Sequence, residues 1–334
     1  MSNHIIKALK KPAIISRRRF LGTAAAGAAC AVLPVSAFGR PRAGRPVRDI
    51  EGVQVGAISY SYRALPSSAE EILGYLKQAG LGTVELMGGP AEAFAGAPEG
   101  PAWPGRGAEL SEEERAERMK AREAAAEESR QWRLEAPMDK FEELGKMYSD
   151  AGVNIDILKL GGPDWTDEEI DYAFNAAQAI GARGISMEGS DEAAARMGPF
   201  ATEHEMLVGF HNHTQVADPE WSFDELLSYS PYNMLNLDIG HYVAGLGTSP
   251  VPVIEKYHDR ISHLHLKDRK TPENGGDNVV WGEGDTPIAE VLQLLQKEQY
   301  PITAMIELEY DIPEDSDVLK EMEKCVAYCR NALS

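Results

Sequence analysis

Side chains that bind metals or carry protons recur near the ends of five consecutive strand-like segments. In residues 261–268 the side chains alternate, so that His263, His265 and Lys267 share one face and the leucines share the other. The same alternation puts polar side chains on one face of four more segments. They are Glu188, His211, His213, Asn236, Asp238, Glu307 and Glu309. Imidazoles and carboxylates in this pattern indicate a divalent metal site with mixed oxygen and imidazole ligands.

The candidates in this set differ in what else they could do. Asp238 is a candidate ligand because a cation removes the cost of burying an unpaired carboxylate, although it could instead cap the following loop. His265 is the strongest imidazole ligand. His263 lies one position deeper and is predicted to be a hydrogen-bonded core residue. Glu309 is predicted to lie beyond its strand in solvent, which makes Glu307 the better ligand.

Short apolar strands and amphipathic helices must position these side chains. Strand-like runs begin near residues 53, 83, 154, 184, 207, 234, 261 and 302. Helical stripes lie between them, as in Ile288, Val291, Leu292 and Leu295, whose spacing follows a 3.6-residue period. Eight such units predict an α/β protein, a (β/α)8 TIM barrel over residues 53–334. A doubly wound open sheet is the alternative, but no glycine-rich phosphate loop follows the first strand.

One segment interrupts the strand–helix rhythm. Residues 88–137 separate the second strand from its helix, and residues 109–135 contain nine acids and six bases. This pattern predicts a charged helical insertion, with pairs such as Glu114 and Arg118 at i, i+4. The first interpretation is a solvated helix, and the alternative is a lid or an oligomer contact over the barrel mouth.

The N-terminus has the pattern of an export signal. Ser16-Arg17-Arg18-Arg19-Phe20-Leu21 is a twin-arginine motif, and an uncharged stretch and the small residues Val35-Ser36-Ala37 follow it. We therefore expect a Tat signal peptide at residues 1–37, a linker at 38–52, and a periplasmic or secreted protein. A permanent membrane span is not expected, because the stretch is weakly apolar and contains Pro34.

Charge restricts the partners. The chain has a formal net charge of −20, and residues 1–37 contain six bases and no acid, so removing them leaves −26 over 297 residues. Such a field repels phosphate backbones, which argues against nucleic acid and anionic membranes as partners.

Taken in order, these motifs resemble the xylose isomerase-like barrel superfamily, in particular its sugar phosphate isomerase/epimerase branch. The resemblance covers roughly residues 180–334, and the first half matches only through Val84-Glu85-Leu86. The segments that carry it are Phe210-His211-Asn212-His213, Leu237-Asp238-Ile239-Gly240-His241, Ile261-Ser262-His263-Leu264-His265-Leu266-Lys267-Asp268, Gly282-Glu283-Gly284 and Ile306-Glu307-Leu308-Glu309.

The resemblance implies a divalent cation (Mn, Mg, Co or Zn) held by Asp238, His265 and Glu307. The chain departs from the pattern at the fifth strand, where ketose 3-epimerases of the family have a ligating glutamate and this chain has His211. Either Glu188, one strand earlier, or His211 is then the fourth ligand.

The implied activity is a metal-dependent sugar isomerase or epimerase that abstracts a proton beside a carbonyl. Glu307, with Glu188 or His211, would move the proton, and Lys267, His213, His241 and Glu85 would orient substrate hydroxyls. The alternatives are a dehydratase or lyase acting on inososes or 3-keto-glycosides, and a non-catalytic sugar-binding barrel. An endonuclease IV-like enzyme would need a basic DNA-binding face, which the acidic charge argues against.

Overall fold

A computed structural model describes residues 49–101 and 110–334, and eight parallel strands form a closed barrel within them. Each strand pairs with its neighbours in chain order, and β8 closes on β1. The predicted (β/α)8 barrel is therefore confirmed. The strands are β1 (Val55–Ile58), β2 (Thr83–Met87), β3 (Asn154–Lys159), β4 (Gly184–Glu188), β5 (Leu207–His211), β6 (Asn233–Asp238), β7 (Ile261–Leu266) and β8 (Thr303–Ile306).

Helices surround the barrel, and those that pack on it bury their apolar side chains. In α10 the predicted stripe of Ile288, Val291, Leu292 and Leu295 is buried against the strands. Ser68 opens α1 through a capping box with Glu71. The helices are α1 (Ala69–Ala79), α2 (Gly88–Phe94), α3 (Glu112–Leu134), α4 (Met138–Asp150), α5 (Asp167–Ile180), α6 (Asp191–His204), α7 (Phe223–Ser228), α8 (Ile239–Leu246), α9 (Val251–Tyr257), α10 (Ile288–Glu298) and α11 (Val318–Leu333).

A β-bulge changes which side chains of β3 face the barrel interior. Against β2 the register shifts after Val84, so that Ile155 pairs with Val84 but Ile157 pairs with Glu85. The extra residue is Asp156, which is buried. A bulge reverses the inward–outward alternation of side chains beyond it. Asp156 and Lys159, an odd number of residues apart, therefore both face inward, and Lys159 reaches the barrel mouth.

Between β2 and α4 the chain forms two helices. Helix α3 has no buried residue, and Glu114 closes a capping box with Ser111 at its start. Its last turn is fastened to the barrel by Arg133, which pairs with Glu92 of α2 at 2.8 Å and with Glu169 of α5 at 3.1 Å. The segment lies on the side of the barrel where βα loops meet, which is the face that carries active sites in such barrels.

The predicted export signal at residues 1–37 and most of the linker at 38–52 lie outside the described residues. Among the helices of the described ranges, none has the length and apolar character needed to cross a bilayer.

Candidate active site

Four side chains converge at the carboxyl ends of β5 to β8. One ligand atom from each of His211, Asp238, His265 and Glu307 lies within 4.8 Å of the others, and all four residues are buried. Asp238 and His265 are register partners on neighbouring strands, which puts them at the same height in the barrel. Two imidazoles and two carboxylates form a donor set that divalent cations accept.

Asp238 takes both of the roles that its sequence position suggested. Its Oδ1 accepts a hydrogen bond from the backbone N–H of His241 at 2.7 Å and so caps α8. Its Oδ2 faces the cluster instead, 3.3 Å from Nε2 of His211 and 2.9 Å from Nζ of Lys267. The cap fixes the carboxylate so that the second oxygen is held toward the cluster.

Glu85 lies beneath the cluster rather than in the pocket. It has no exposed surface, and its Oε2 is 2.5 Å from Nε2 of His265 and 3.3 Å from Nε2 of His263. The expectation that Glu85 orients substrate hydroxyls differs from this placement, because His265 covers it. A carboxylate on the far nitrogen of a ligating histidine fixes the ring and its tautomer. His263 is fully buried, and its Nδ1 lies 2.8 Å from Oγ of Ser262.

The cluster attracts positive charge. Burial alone would lower the pKa of His265, but Glu85 on one side and Glu307 on the other raise it to about 10. Burial would likewise lower the pKa of Lys267, and Asp238, Glu307 and Glu309 raise it above its usual range. The ammonium of Lys267 lies 2.7 Å from Glu307 and 2.6 Å from Glu309.

The donor atoms fit a divalent cation. Nδ1 of His265 and Oε2 of Glu307 are buried and lie 3.1 Å apart, and the ammonium of Lys267 lies 2.7 Å from the same Glu307 oxygen. Adjacent ligands of an octahedral ion with bonds of about 2.1 Å stand about 3 Å apart. A cation would satisfy both atoms and replace the positive charge of the His265 proton, since ligands bind metals in their deprotonated form.

Glu188 belongs to a second group beside the cluster. Its Oε2 lies 3.2 Å from Nδ1 of His211 and 2.7 Å from Nε2 of His213, and its Oε1 accepts from Nζ of Lys159 at 2.9 Å. Burial would raise the pKa of Glu188, but these imidazoles and Lys159 hold it far below its usual range. Of the two predicted candidates for a fourth ligand, His211 is the one that lies in the four-residue cluster, and Glu188 orients it from outside.

His241 supplies a hydrogen-bond donor at the mouth. Its Nδ1 faces a guanidinium N–H of Arg269, which can only donate, so the ring proton is on Nε2. Burial, with the charges of Lys267 and Arg269, lowers the pKa of His241 to about 3, against the opposing effect of Asp238. The neutral ring directs its Nε2–H toward Glu309, 3.9 Å away. Gly240 lets Lys267 pass beneath, because a Cβ there would collide with the lysine side chain.

These side chains surround a pocket of about 260 Å³ at the barrel mouth. Sequence reasoning did not assign several of its residues to the site. Tyr60 follows β1 without a strand pattern to mark it, and Lys159 depends on the bulge in β3. Glu309, expected in solvent, contacts Lys267 instead, which corrects that prediction; its shared parity with Glu307 was the available signal. The residues that line the pocket are Ile58, Tyr60, Met87, Lys159, Glu188, His211, His213, His241, Lys267, Glu307 and Glu309.

Known proteins resemble this chain in sequence and in fold. The inosose dehydratase of Clostridium botulinum (strain Eklund 17B) is 32% identical over 136 residues, which cover 35% of this chain and 45% of that protein. The match thus spans less than half the length of the curated relative.

Two solved structures share the barrel at low sequence identity. A sugar phosphate isomerase/epimerase from Parabacteroides distasonis has a TM-score of 0.54 and 19% identity, with 83% of this chain and 93% of that chain covered. A 3-keto-D-glucoside 4-epimerase from E. coli has a TM-score of 0.54 and 12% identity, with 84% and 99% covered. At these identities the likeness concerns the fold. The model of the xylose isomerase-like TIM barrel family matches residues 73–328, and the chain belongs to that family.

Proposed function

We propose that this chain is a metal-dependent sugar isomerase or epimerase that moves a proton at the carbon beside a carbonyl. The observation that carries the proposal is the placement of Glu188 and Glu307 in one pocket. Glu188 ends β4 and Glu307 directly follows β8, and in an eight-stranded barrel these strands lie opposite each other. A carbon bound between them has a carboxylate on each side, as two-base proton transfer requires.

His211, Asp238, His265 and Glu307 would hold the cation. When bound, a divalent cation polarises a carbonyl and stabilises the negative charge that develops on its oxygen. The chain's own residues bind and orient the substrate around that point. Nζ of Lys267 and the Nε2–H of His241 both face the carboxylate of Glu309 at the mouth, and they would donate to hydroxyl or carbonyl oxygens of a bound substrate.

Both carboxylates are ionised and so are able to accept a proton. Burial would raise the pKa of Glu307, but Lys267 and His265 lower it below its usual range. Glu188 is 58% exposed in its side chain, whereas Glu307 is 6% exposed, so Glu188 can reach the substrate from the solvent side. The two groups therefore reach the pocket from different depths as well as from different strands.

A dehydratase is the second candidate, and the likeness to inosose dehydratases favours it. Removal of water also begins with proton abstraction beside a carbonyl, and it needs a donor for the departing hydroxyl. His213 is half exposed and lies 2.7 Å from Glu188. We propose that it donates the proton to the departing hydroxyl. The products distinguish the two reactions, since one retains every oxygen and the other loses one as water.

The test incubates the protein with a series of divalent metals and with ketohexoses, inososes and keto-glycosides in D2O, followed by NMR. We expect deuterium at a carbon beside the carbonyl in a metal-dependent reaction. Glu307→Gln should lower the exchange rate by about 100-fold or more, since a positioned base contributes roughly 10²–10⁴-fold. Glu290→Gln, on the exposed side of α10, is the matched control and should leave it unchanged.

An epimerase gives a deuterated epimer, and a dehydratase gives an unsaturated product. If no substrate exchanges with any metal, or if Glu307→Gln exchanges as fast as the unaltered chain, the proposed function is wrong.

Export by the Tat pathway is a separate proposal that rests on residues 16–37 of the sequence. Cell fractionation tests it. The unaltered chain should appear in the periplasm or medium, and replacing Arg17 and Arg18 by lysine should retain it in the cytoplasm. Equal export of both forms would contradict it.

A further inference from the structure

A second pocket opens beside the reaction pocket. It has a volume of about 280 Å³, similar to the 260 Å³ of the reaction pocket. The two share Met87, Lys159 and Glu188 as a common wall. Because Lys159 donates to Glu188 at 2.9 Å, this wall is a held ion pair rather than two loose side chains. A molecule that lies in the reaction pocket can therefore extend past Glu188 without leaving the protein surface.

The lining of the second pocket differs from that of the first. The reaction pocket has histidines and carboxylates, whereas the second pocket adds Trp165, Leu160 and Met187. Gly89 leaves its edge open, because a Cβ at this position would meet nothing within 4 Å. Apolar and aromatic walls with a few polar groups are typical of sites that bind organic ring systems.

Trp165 is held in place before any ligand binds. The guanidinium of Arg133 lies 4.0 Å from the centroid of its ring, and Arg133 is itself paired with Glu92 and Glu169. Arg196 donates to the backbone carbonyl of Trp165 at 3.1 Å. An aromatic side chain fixed in this way gives contact area at little entropic cost.

We infer that the substrate is a sugar ketone that carries a second ring, such as a glycoside, and that this ring lies in the pocket of Trp165, Gly89 and Leu160. The inference rests on the proposed function, which places the reacting carbon between Glu188 and Glu307. The second ring lies on the β2–β4 side of the mouth, beyond Glu188. His241 and Glu309, on the opposite side, contact the reacting sugar alone.

The test uses three 3-keto-glucosides that differ only in the group on the anomeric oxygen: methyl, phenyl and glucosyl. The measured quantity is kcat/KM for deuterium exchange. Trp165→Ala should lower kcat/KM about tenfold for the phenyl and glucosyl compounds, because it removes an aromatic contact with the ring. For the methyl compound the value should stay within about twofold. Gly89→Leu, which fills the pocket from its open edge, should show the same selectivity.

Two variants control for general damage to the fold. Trp132 packs on Tyr172 with ring centroids 6.0 Å apart, much as Trp165 does at 6.5 Å, but it lines neither pocket. Gly74 is an exposed glycine of α1 that also has nothing within 4 Å. Trp132→Ala and Gly74→Leu should therefore affect all three compounds equally.

Binding is measured separately from turnover. Calorimetry with unreactive phenyl and methyl β-glucosides should show tighter binding of the phenyl compound, and Trp165→Ala should abolish the difference. If both compounds bind alike, or if Trp165→Ala lowers turnover of the methyl and phenyl substrates equally, the inference is overturned while the proposed function stands. If phenyl selectivity depends on Trp165 but no compound exchanges deuterium, the proposed function fails and the second-ring pocket stands.

Discussion

Charged side chains are buried at two levels of the barrel: around Asp156 in the interior and around Glu307 at the mouth. Only the interior level is balanced, with one carboxylate paired to one cationic side chain. Inside the barrel, Asp156 and Arg183 form a pair with two short hydrogen bonds, 2.7 and 2.6 Å, and Thr303 donates to the same carboxylate at 3.1 Å. At the mouth, Oε2 of Glu307 shares the ammonium of Lys267 with two other carboxylates, and Nδ1 of His265 is buried without a partner of hydrogen-bond geometry among the described residues. The first group pairs one carboxylate with one guanidinium, whereas the second contains more carboxylates than ammonium groups.

The difference follows from the composition of each group. Asp156 faces one guanidinium of matching geometry, so charge and hydrogen-bonding capacity are both satisfied. The mouth brings the carboxylates of Asp238, Glu307 and Glu309 around the single ammonium of Lys267. Excess negative charge in a buried site is costly unless a proton or a bound cation offsets it, and this is the physical basis for expecting a metal there.

The largest expected effect concerns the mouth. Asp238→Asn removes a negative charge from the cluster but keeps the cap on α8, since Asn is as good an N-cap as Asp. We expect bound metal to fall to background and the exchange rate to fall on the order of 10³-fold, with the thermal midpoint little changed. Metal content by mass spectrometry and the NMR exchange assay measure this.

The control for Asp238→Asn is Asp156→Asn, the same substitution in the balanced group. It should keep the metal. Equal metal content in both variants would remove the distinction between the two levels.

The next largest effect is a loss of fold stability at the balanced level, around Asp156 and Arg183. Arg183→Met leaves the carboxylate of Asp156 buried without its partner, and breaking a buried pair costs roughly 3–5 kcal/mol. Chemical denaturation should show this loss with metal content unaltered. Adding Asp156→Leu to that variant should recover most of the stability, because the uncompensated charge is gone. If Arg183→Met alone is as stable as the unaltered chain, the Asp156–Arg183 pair contributes little to the free energy of unfolding.

The sequence predicts the barrel and part of the mouth, and the reasons for its limits are local. Alternation along β7 and β6 is regular near the mouth, so the inward positions of His265 and Asp238 can be predicted from their spacing. The bulge at Asp156 adds one residue to β3, and no period-two pattern predicts that Asp156 and Lys159 both face inward.

Residues beyond the strand ends are harder still to predict. Glu309 follows β8 and was expected in solvent, but its position depends on the long side chain of Lys267, which crosses from β7. Glu85 was expected to orient substrate hydroxyls, yet it lies beneath His265, at a depth that depends on how β2 and β7 are staggered around the barrel. Depth is a property of the closed barrel, and side-chain alternation alone does not contain it.

A smaller effect is expected at Glu85, which lies beneath the cluster at the mouth. Glu85→Gln removes the carboxylate that faces Nε2 of His265 without reaching the metal position itself. Loss of such a partner usually costs 10–100-fold in metal affinity. Competition with a metal-binding dye should detect a weaker but measurable site. Complete loss of metal binding would indicate that Glu85 is itself a ligand. Unchanged metal affinity would indicate that other contacts are enough to position His265.

The smallest effect is a change with pH at the balanced level. Burial alone would raise the pKa of Asp156, but Arg183 outweighs it, and the pKa lies below its usual value. A carboxyl with a lowered folded pKa stabilises the fold above its unfolded pKa of about 3.9, and this contribution is lost as the pH falls through the folded pKa. The stability gap between the unaltered chain and Asp156→Asn should be constant from pH 7 to about pH 5 and should shrink below about pH 4. Denaturation of both proteins across this range isolates the carboxyl, because the other titrating groups are common to both. If the stability gap widened as the pH fell, Asp156 would be buried in its protonated form. A proton rather than Arg183 would then neutralise this carboxyl.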